Sequence, residues 1–318
     1  MDHSRLARNR WLALGRAGLD LYADPPGTRV EDTAAFFPAL GGSAANIAVG
    51  IAKLGGSAAM LTTLSSDAVG GFVLKELRRY GVATDHVSVV GGAARTSLAV
   101  AATRNDDTQS VIYRNGAADF QLSHAEVEAV PFDRFGALVV TGTSLAAEPS
   151  REAAFFAADR ASAAGAAVIF DIDYRAYSWE NGSVAAEVCR RFAALSDVIV
   201  GNDEEFAVVA DGGDGPALAR AMAAHAEAVV YKMGARGSRA FVGDKVIDTG
   251  VFPVTPLKPT GAGDAFLAGL LTSLALGFDW SASIRRGAAV AAIVVTKVGC
   301  APATPDAEEL RSYLARHS

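Results

Sequence analysis

The chain has 318 residues, 51% of them apolar and 20% charged, with a formal net charge of −6. So apolar a composition excludes wholesale disorder, and the acidic balance excludes a protein whose task is to coat nucleic acid or an anionic membrane. Any phosphate the chain holds must therefore be met by local donors.

In chain order, residues 11–18 read as a strand leading to a turn at Asp20. Residues 44–54 carry a helical period stopped by Gly55-Gly56. A strand is expected at 58–64 and a helix at 67–80, closed by Gly81. Residues 97–103 and 109–114 alternate as two strands around the turn signal Asn105-Asp106-Asp107, a flap outside the main sheet. From about residue 135 the pattern becomes strictly β then α. Apolar runs at 137–141, 166–170, 198–200 and 228–231 are separated by helical stretches at 150–164, 183–195 and 216–224. Short apolar runs between amphipathic helices mark parallel strands buried on both faces. The end is nearly all helix, at 264–275, 281–297 and 306–316. The expected organisation is one α/β domain over residues 1–318 with a small β lid formed near 12–40 and 95–116.

Cys189 and Cys300 lie far apart with no CxxC, and the five histidines form no HxxxH pair, so neither a disulfide framework nor a zinc site is expected. The strongest apolar run, 288–295, falls short of the ~18 residues of a membrane span. Residues 1–10 are polar and basic, with no apolar stretch behind them. The expectation is a reducing, cytoplasmic setting.

Ligands in open α/β sheets bind beyond the carboxyl ends of the strands. The four later strands lead in turn into Gly142-Thr143, Asp171-Ile172-Asp173-Tyr174-Arg175, Asn202-Asp203-Glu204-Glu205 and Lys232-Met233-Gly234. All are polar, charged or glycine-rich. The segment Pro259-Thr260-Gly261-Ala262-Gly263-Asp264 carries the most chemistry. Its glycines let successive N–H groups converge into an anion nest, and the helix behind adds its positive end. Such a place can hold a phosphoryl group in flight, with Asp264 accepting the proton of an attacking hydroxyl. Read alone, Asp264 also fits a simple helix cap. No GxxxxGK[ST] is present, and no GxGxxG sits between a strand and a helix, which argues against a Walker loop and a nucleotide-binding dehydrogenase.

That segment, together with Gly41-Gly42-Ser43-Ala44-Ala45-Asn46-Ile47-Ala48, resembles the two signatures of the ribokinase-like (PfkB) carbohydrate kinases. The likeness runs from about Leu12 to Pro305 in the family's order. It implies a three-layer α/β/α sandwich with a mostly parallel sheet and a β lid, using ATP and Mg²⁺. By this likeness Asp264 is the catalytic base, and Gly261, Ala262 and Gly263 form the anion hole. Asn202 and Glu205 match an NxxE motif that organises Mg²⁺ largely through water. Lys232, Gly234 and Gly237 match the segment along the nucleotide, with Thr260 opening the glycine loop. Asp20, Gly42 and Asn46 match positions that hold sugar hydroxyls. Members often pair through their lids, which the flap here allows. Many carry an acidic residue two before the threonine, associated with a monovalent cation; here Lys258 stands there, so potassium dependence is not expected.

The stretch from Asp171 to Trp179 departs from the DxNxR pattern of many members and resembles that of the 5-dehydro-2-deoxygluconokinases, which act in inositol breakdown. Lys258-Pro259-Thr260, Gly299-Cys300-Ala301-Pro302, Ile112-Tyr113-Arg114 and Ala118-Asp119 fit the same subgroup. A sugar acid needs a cation, and arginine's planar fork suits a carboxylate. Arg114 and Arg175 are the candidates, with Tyr113 as a neutral donor and Arg95 as a weaker lid candidate. For Arg175 an ion pair with Asp171 or Asp173 is an equal alternative. Kinases of 2-keto-3-deoxygluconate, fructose or ribose are the other readings, and a catalytically idle sugar-binding regulator is the reading from a different class.

Overall fold

The computed structural model describes residues 4–104 and 109–317. The turn expected at Asn105-Asp106-Asp107 lies outside them. A short helix α1 (Ser4–Ala7) precedes β1 (Arg10–Leu14), β2 (Gly18–Asp24), β3 (Ala35–Gly41), α2 (Ser43–Lys53), β4 (Ser57–Ser65), α3 (Ala68–Arg79) and β5 (Ala83–Val90). Then come β6 (Leu98–Ala101), β7 (Ser110–Tyr113), α4 (His124–Glu128), β8 (Ala137–Thr141), α5 (Ser150–Ala163), β9 (Ala167–Asp171) and α6 (Gly182–Ala193). They are followed by β10 (Val198–Asn202), α7 (Asp203–Val209), α8 (Gly215–Met222), β11 (Ala228–Lys232), β12 (Ser238–Val242) and β13 (Lys245–Thr249). Helices α9 (Ala262–Ala275), α10 (Trp280–Val295) and α11 (Ala307–Arg316) close the chain.

Nine strands form one sheet in the order β13-β12-β11-β10-β9-β8-β1-β4-β5. Pairing is parallel from β11 through β5, and antiparallel where β12 and β13 fold back at one edge. The period-2 alternation of side chains divides each strand between two cores. Trp11, Ala13, Val139, Ile169, Val200 and Val230 pack with α2, α9 and α10 on one face. Leu12, Leu14, Leu138, Val140, Phe170 and Ile199 pack with α5 and α6 on the other. Strands such as β8 and β9 are buried along their whole length because helices cover both faces.

A second sheet of four strands has the order β3-β2-β6-β7. Its β6–β7 pair is an antiparallel hairpin at 95–116, β2 and β3 from the 12–40 region complete it, and β2 lies parallel to β6. Tyr22, Ala39 and Ala101 form its small core, against which Val298 packs.

Several boundaries differ from the sequence reading. The first strand stops at Leu14, so residues 12–14 belong to the main sheet and not to the flap. Asp20 is not at a turn but in the middle of β2, opposite Ala39 on one side and Ala99 on the other. The apolar run of 11–18 continues from one sheet into the next, and Gly15, at φ +148, marks the break. The run of Phe36 and Phe37 is a strand, β3, that the pattern did not announce, and β5, β12 and β13 were likewise unread.

Candidate active site

Strands β8, β9, β10 and β11 are consecutive neighbours, so their carboxyl ends form one continuous edge. Thr141 lies opposite Asp171 and Asn202 opposite Lys232 in the registers of these pairs. The polar stretches singled out after each strand are thereby brought together. Asp173 is buried, holds φ at +38, and accepts hydrogen bonds from Ser43 Oγ and Thr143 Oγ1. That links three segments distant in sequence: the start of α2, the end of β8 and the end of β9. Arg175 Nη2 lies 2.7 Å from Asp173 Oδ1, and its Nη1 lies 3.8 Å from Glu205 Oε1. Of the alternatives open for Arg175, the pair with Asp173 is the one formed.

Asn202 and Glu205 cap α7 reciprocally. Glu205 N–H donates to Asn202 Oδ1 (2.8 Å), and Asn202 N–H donates to Glu205 Oε2 (2.7 Å). This capping box orients a buried carboxylate toward the strand edge. Lys232 Nζ lies 3.7 Å from Asp171 Oδ1, and a Cβ added at Gly263 would come within 3.1 Å of the same ammonium. Lys232 thus joins the end of β11 to the glycine loop.

Gly261 caps α9 in the left-handed region at φ +84, and a Cβ there would fall 2.5 Å from Cys300 Sγ. The amides of Ala262, Gly263 and Asp264 precede the first bond of the helix, Ala265 N–H to Gly261 O at 3.1 Å. The cap is Gly261, so Asp264 is not the capping residue; it stands in the first turn and its Oδ2 accepts 2.8 Å from Asn46 Nδ2 on α2. Helix α9 accordingly begins two residues before the expected position.

Acidic groups crowd this edge. Burial, followed by the nearby Asp173 charge, pushes the Asp264 carboxyl up to about 6, against the hydrogen bond from Asn46 and the Arg175 and Lys232 charges. Asp171 is pushed up to about 8, chiefly by burial, with Lys232 opposing and Glu205, Asp173 and Asp264 adding to the rise. Burial also raises Glu205. For Lys232 burial acts to lower the value, but Asp171 and the other carboxylates outweigh it and the ammonium is held more firmly. Among the described residues no group of three His, Cys, Asp or Glu side chains forms a metal cage. Asp171 Oδ1 is buried with no hydrogen-bond partner among the described residues, and Asn202 and Glu205 supply oxygen ligands nearby in the fold. Such a set fits a hard cation carried by phosphate oxygens and water rather than one bound by protein alone.

The small sheet faces this edge through β2. Asp20 is buried, Tyr22 Oη donates to its Oδ2 at 3.0 Å, and its Oδ1 has no hydrogen-bond partner among the described residues. Burial raises its carboxyl, with Arg16 the strongest opposing charge. Tyr22 Oη also lies 3.3 Å from Cys300 Sγ. Lys258 is fully buried and donates to Thr260 O, with Cys300 Sγ 3.8 Å from its ammonium. Gly42, at φ +96, starts α2 where a Cβ would lie 2.3 Å from Arg16 O. Gly234 and Gly237 hold φ at +54 and +85 in the turn from β11 to β12, which Met233 N–H closes on Gly237 O at 2.7 Å.

The lid residues divide. Tyr113 is 62% exposed at the edge strand β7. Arg114 beside it is buried, bound through Nε and Nη2 to Asp119 Oδ2 and through Nη1 to Thr143 O, with its guanidinium 4.0 Å from the Phe120 ring centre. Arg95 is exposed and binds the carbonyls of Gly92 and Ala94. Sequence reasoning missed Arg16, Tyr22 and Asp173. Of these only Asp173 had a sequence signal, its place at a strand end; the others are defined by contacts across more than 80 residues.

A family model described as pfkB family carbohydrate kinase matches residues 10–307. A 5-dehydro-2-deoxygluconokinase of Photobacterium profundum is 37% identical over 310 residues, covering 95% of this chain and 94% of the relative. The crystal structure of a fructokinase with bound ATP from Xylella fastidiosa superposes with a TM-score of 0.87 at 28% identity, covering 98% of this chain and 99% of that one. A fructokinase double mutant from Vibrio cholerae O395, in a form with fructose, ADP and potassium ion bound, gives a TM-score of 0.83 at 26% identity, covering 96% and 98%. Together with the glycine loop, its carboxylate and the strand edge they share, these likenesses show that the chain belongs to the pfkB family of carbohydrate kinases.

Proposed function

We propose that this sugar kinase transfers the γ-phosphoryl group of ATP to a primary hydroxyl of a keto-deoxy sugar acid, 5-dehydro-2-deoxy-D-gluconate, in the cytoplasmic breakdown of inositol. The observation that carries the reading is Asp264, held by Asn46 at the open amides of α9, together with the partnerless Asp20 Oδ1. The 37% identical relative named for this substrate supports the choice of sugar acid.

In this mechanism Asp264 takes the proton of the attacking hydroxyl, while the amides of Gly261, Ala262 and Gly263 meet the oxygens of the transferring group. Asn46 fixes the carboxylate so that one oxygen stays free for the hydroxyl. Lys232 places a positive charge against the same loop, and the segment holding Gly234 and Gly237 lies along the nucleotide. Thr260 sets the entry to the loop, and Asp20, Gly42 and Asn46 position the sugar. Mg²⁺ would be held through water by Asn202 and Glu205 and would neutralise charge on the phosphates. The four-stranded sheet acts as a lid of a single kinase unit, and its closure keeps water from competing as acceptor. Exposed Phe36, Phe37, Val111 and Tyr113 on that sheet support pairing of two copies through their lids, which light scattering tests directly.

ATP consumption measured with 5-dehydro-2-deoxy-D-gluconate, 2-keto-3-deoxygluconate, fructose and ribose tests the substrate. Turnover is expected to be highest on the first. Phosphorylation of neutral sugars alone would remove the sugar-acid reading.

A further inference from the structure

Three arginines follow the carboxyl ends of β1, β7 and β9: Arg16, Arg114 and Arg175. Two of them are already committed. Arg114 is spent on Asp119 and the Thr143 carbonyl, and Arg175 on Asp173, Glu205 and the Tyr174 carbonyl. Arg16 differs. It is 8% exposed, has no carboxylate within 4 Å among the described residues, and makes a single side-chain hydrogen bond, from Nη1 to Ser97 Oγ at 3.3 Å. A guanidinium has five donors, and the bond to Ser97 is its only side-chain one among the described residues, so in a site closed to water the other donors are costly unless a ligand meets them.

Its position is firmly set. Arg16 follows the carboxyl end of β1, the strand between β8 and β4, and so lies on the strand edge already described. Its carbonyl accepts from Ala45 N–H at 3.3 Å in the first turn of α2, and Gly42 approaches the same carbonyl too closely for a side chain. Gly18 leaves room for the guanidinium, since a Cβ there would stand 3.2 Å from Nη1. Arg16 therefore sits at the seam between the large sheet and the small one, on the side where Asp20 presents its partnerless Oδ1.

We infer that Arg16 receives the carboxylate of the sugar acid, at the seam of the two sheets, with Asp20 Oδ1 accepting a hydroxyl of the same molecule. A bound carboxylate supplies the anion that Arg16 lacks, and a hydroxyl supplies the donor that Asp20 lacks; one ligand satisfies both. Arg175 and Arg114 then serve the architecture, the first by holding Asp173 and the second by holding the lid to β8. Specificity for an acid over a neutral sugar follows, because a neutral ligand leaves the guanidinium desolvated and unmet.

This inference rests on the sugar-acid reading, so the test compares 5-dehydro-2-deoxy-D-gluconate with its own carboxamide. Wild type, Arg16→Met, Arg16→Lys and Arg175→Met are assayed for kcat and KM on both compounds. The wild type is expected to prefer the acid. Arg16→Met should reduce that preference about 10²-fold, mainly through KM for the acid. Arg16→Lys, which keeps the charge but loses the fork, should reduce it about tenfold. Arg175→Met should lower activity on acid and amide alike. Turnover of the amide by Arg16→Met reports that the variant is folded; if it is inactive on both, Arg16→Lys decides. An unchanged acid-to-amide ratio in the Arg16 variants, or loss of the ratio only in Arg175→Met, would overturn the assignment while leaving the sugar-acid reading intact. A wild type that phosphorylates neither compound but does phosphorylate fructose would overturn the reading itself.

Discussion

Asp264 combines two demands that oppose each other. As the base of the proposed mechanism it must be charged to accept a proton, yet burial and Asp173 favour its protonated form and lift it to about 6. With the carboxylate as base, kcat/KM should rise about tenfold per pH unit below 6 and level off above it. A rate flat from pH 5 to 7 would remove Asp264 from that role. Asp264→Asn should cut kcat about 10²–10⁴-fold. Because the charge is strained in the fold, the same variant should be more stable at pH 8 by about 1–3 kcal/mol, a gain readable in thermal unfolding. Lys258 presents a parallel case: its ammonium is fully buried, bonded to the Thr260 carbonyl and without an acidic partner within 4 Å among the described residues. If it supplies the positive charge beneath the glycine loop, Lys258→Met should lower kcat about 10–10²-fold without loss of stability. Potassium titrated at constant ionic strength should change wild-type turnover less than about twofold. Strong activation by potassium would contradict this role.

At the scale of elements, the start of α9 depends on what lies behind it. Gly261 adopts a left-handed cap and backs directly on Cys300 from the segment after α10. Gly261→Ala should therefore cost about 1–3 kcal/mol of stability through backbone strain and collision, and reduce activity at least 10²-fold by moving the amides. Adding Cys300→Ala should recover part of the stability, since it makes room, but not all, since φ remains unfavourable. Full recovery in the double variant, read by chemical denaturation, would mean that collision alone was at work. The element boundaries also show what a pattern can convey. Strands β8 to β11 were legible because burial on both faces demands uninterrupted apolar runs. Strand β3 was not, because Ala35 to Pro38 are exposed and leave no alternation to read. Asp20 was misplaced at a turn because a strand that changes sheets looks like one run with a glycine in it.

For the molecule as a whole, the modest net charge conceals a concentrated one. Asp171, Asp173, Glu205 and Asp264 share one strand edge with Lys232 and Arg175. Asp171 and Asp264 are raised to about 8 and about 6, above the ordinary carboxylate range, so the folded state holds their protons more tightly than the unfolded chain does. Their contribution to stability is then full near pH 4 and is lost as pH rises through 6 and 8. The ligand-free protein should show a thermal midpoint that falls from pH 5.5 to 8.5, with general repulsion at net charge −6 acting in the same direction. Saturating Mg·ATP should flatten that slope and add about 2.7 kcal/mol at a hundred times its Kd. A midpoint that rises with pH would show that the cluster does not carry the strain assigned to it.

Chemistry carried by contiguous residues was decided by the sequence alone. A glycine loop with a carboxylate at the start of a helix, an NxxE spacing after a strand and polar strand ends are all local patterns, and each was legible with its neighbours. What joins distant segments was decided only by the tertiary structure. Asn46 and Asp264 are 218 residues apart, and Tyr22 and Cys300 are 278 apart. Arginines of like appearance are separated by their surroundings: Arg114 and Arg175 have carboxylates within 4 Å, and Arg16 has none within 4 Å among the described residues. Partnership across the chain is a property of packing, and no local spacing encodes which buried charge is left for a ligand.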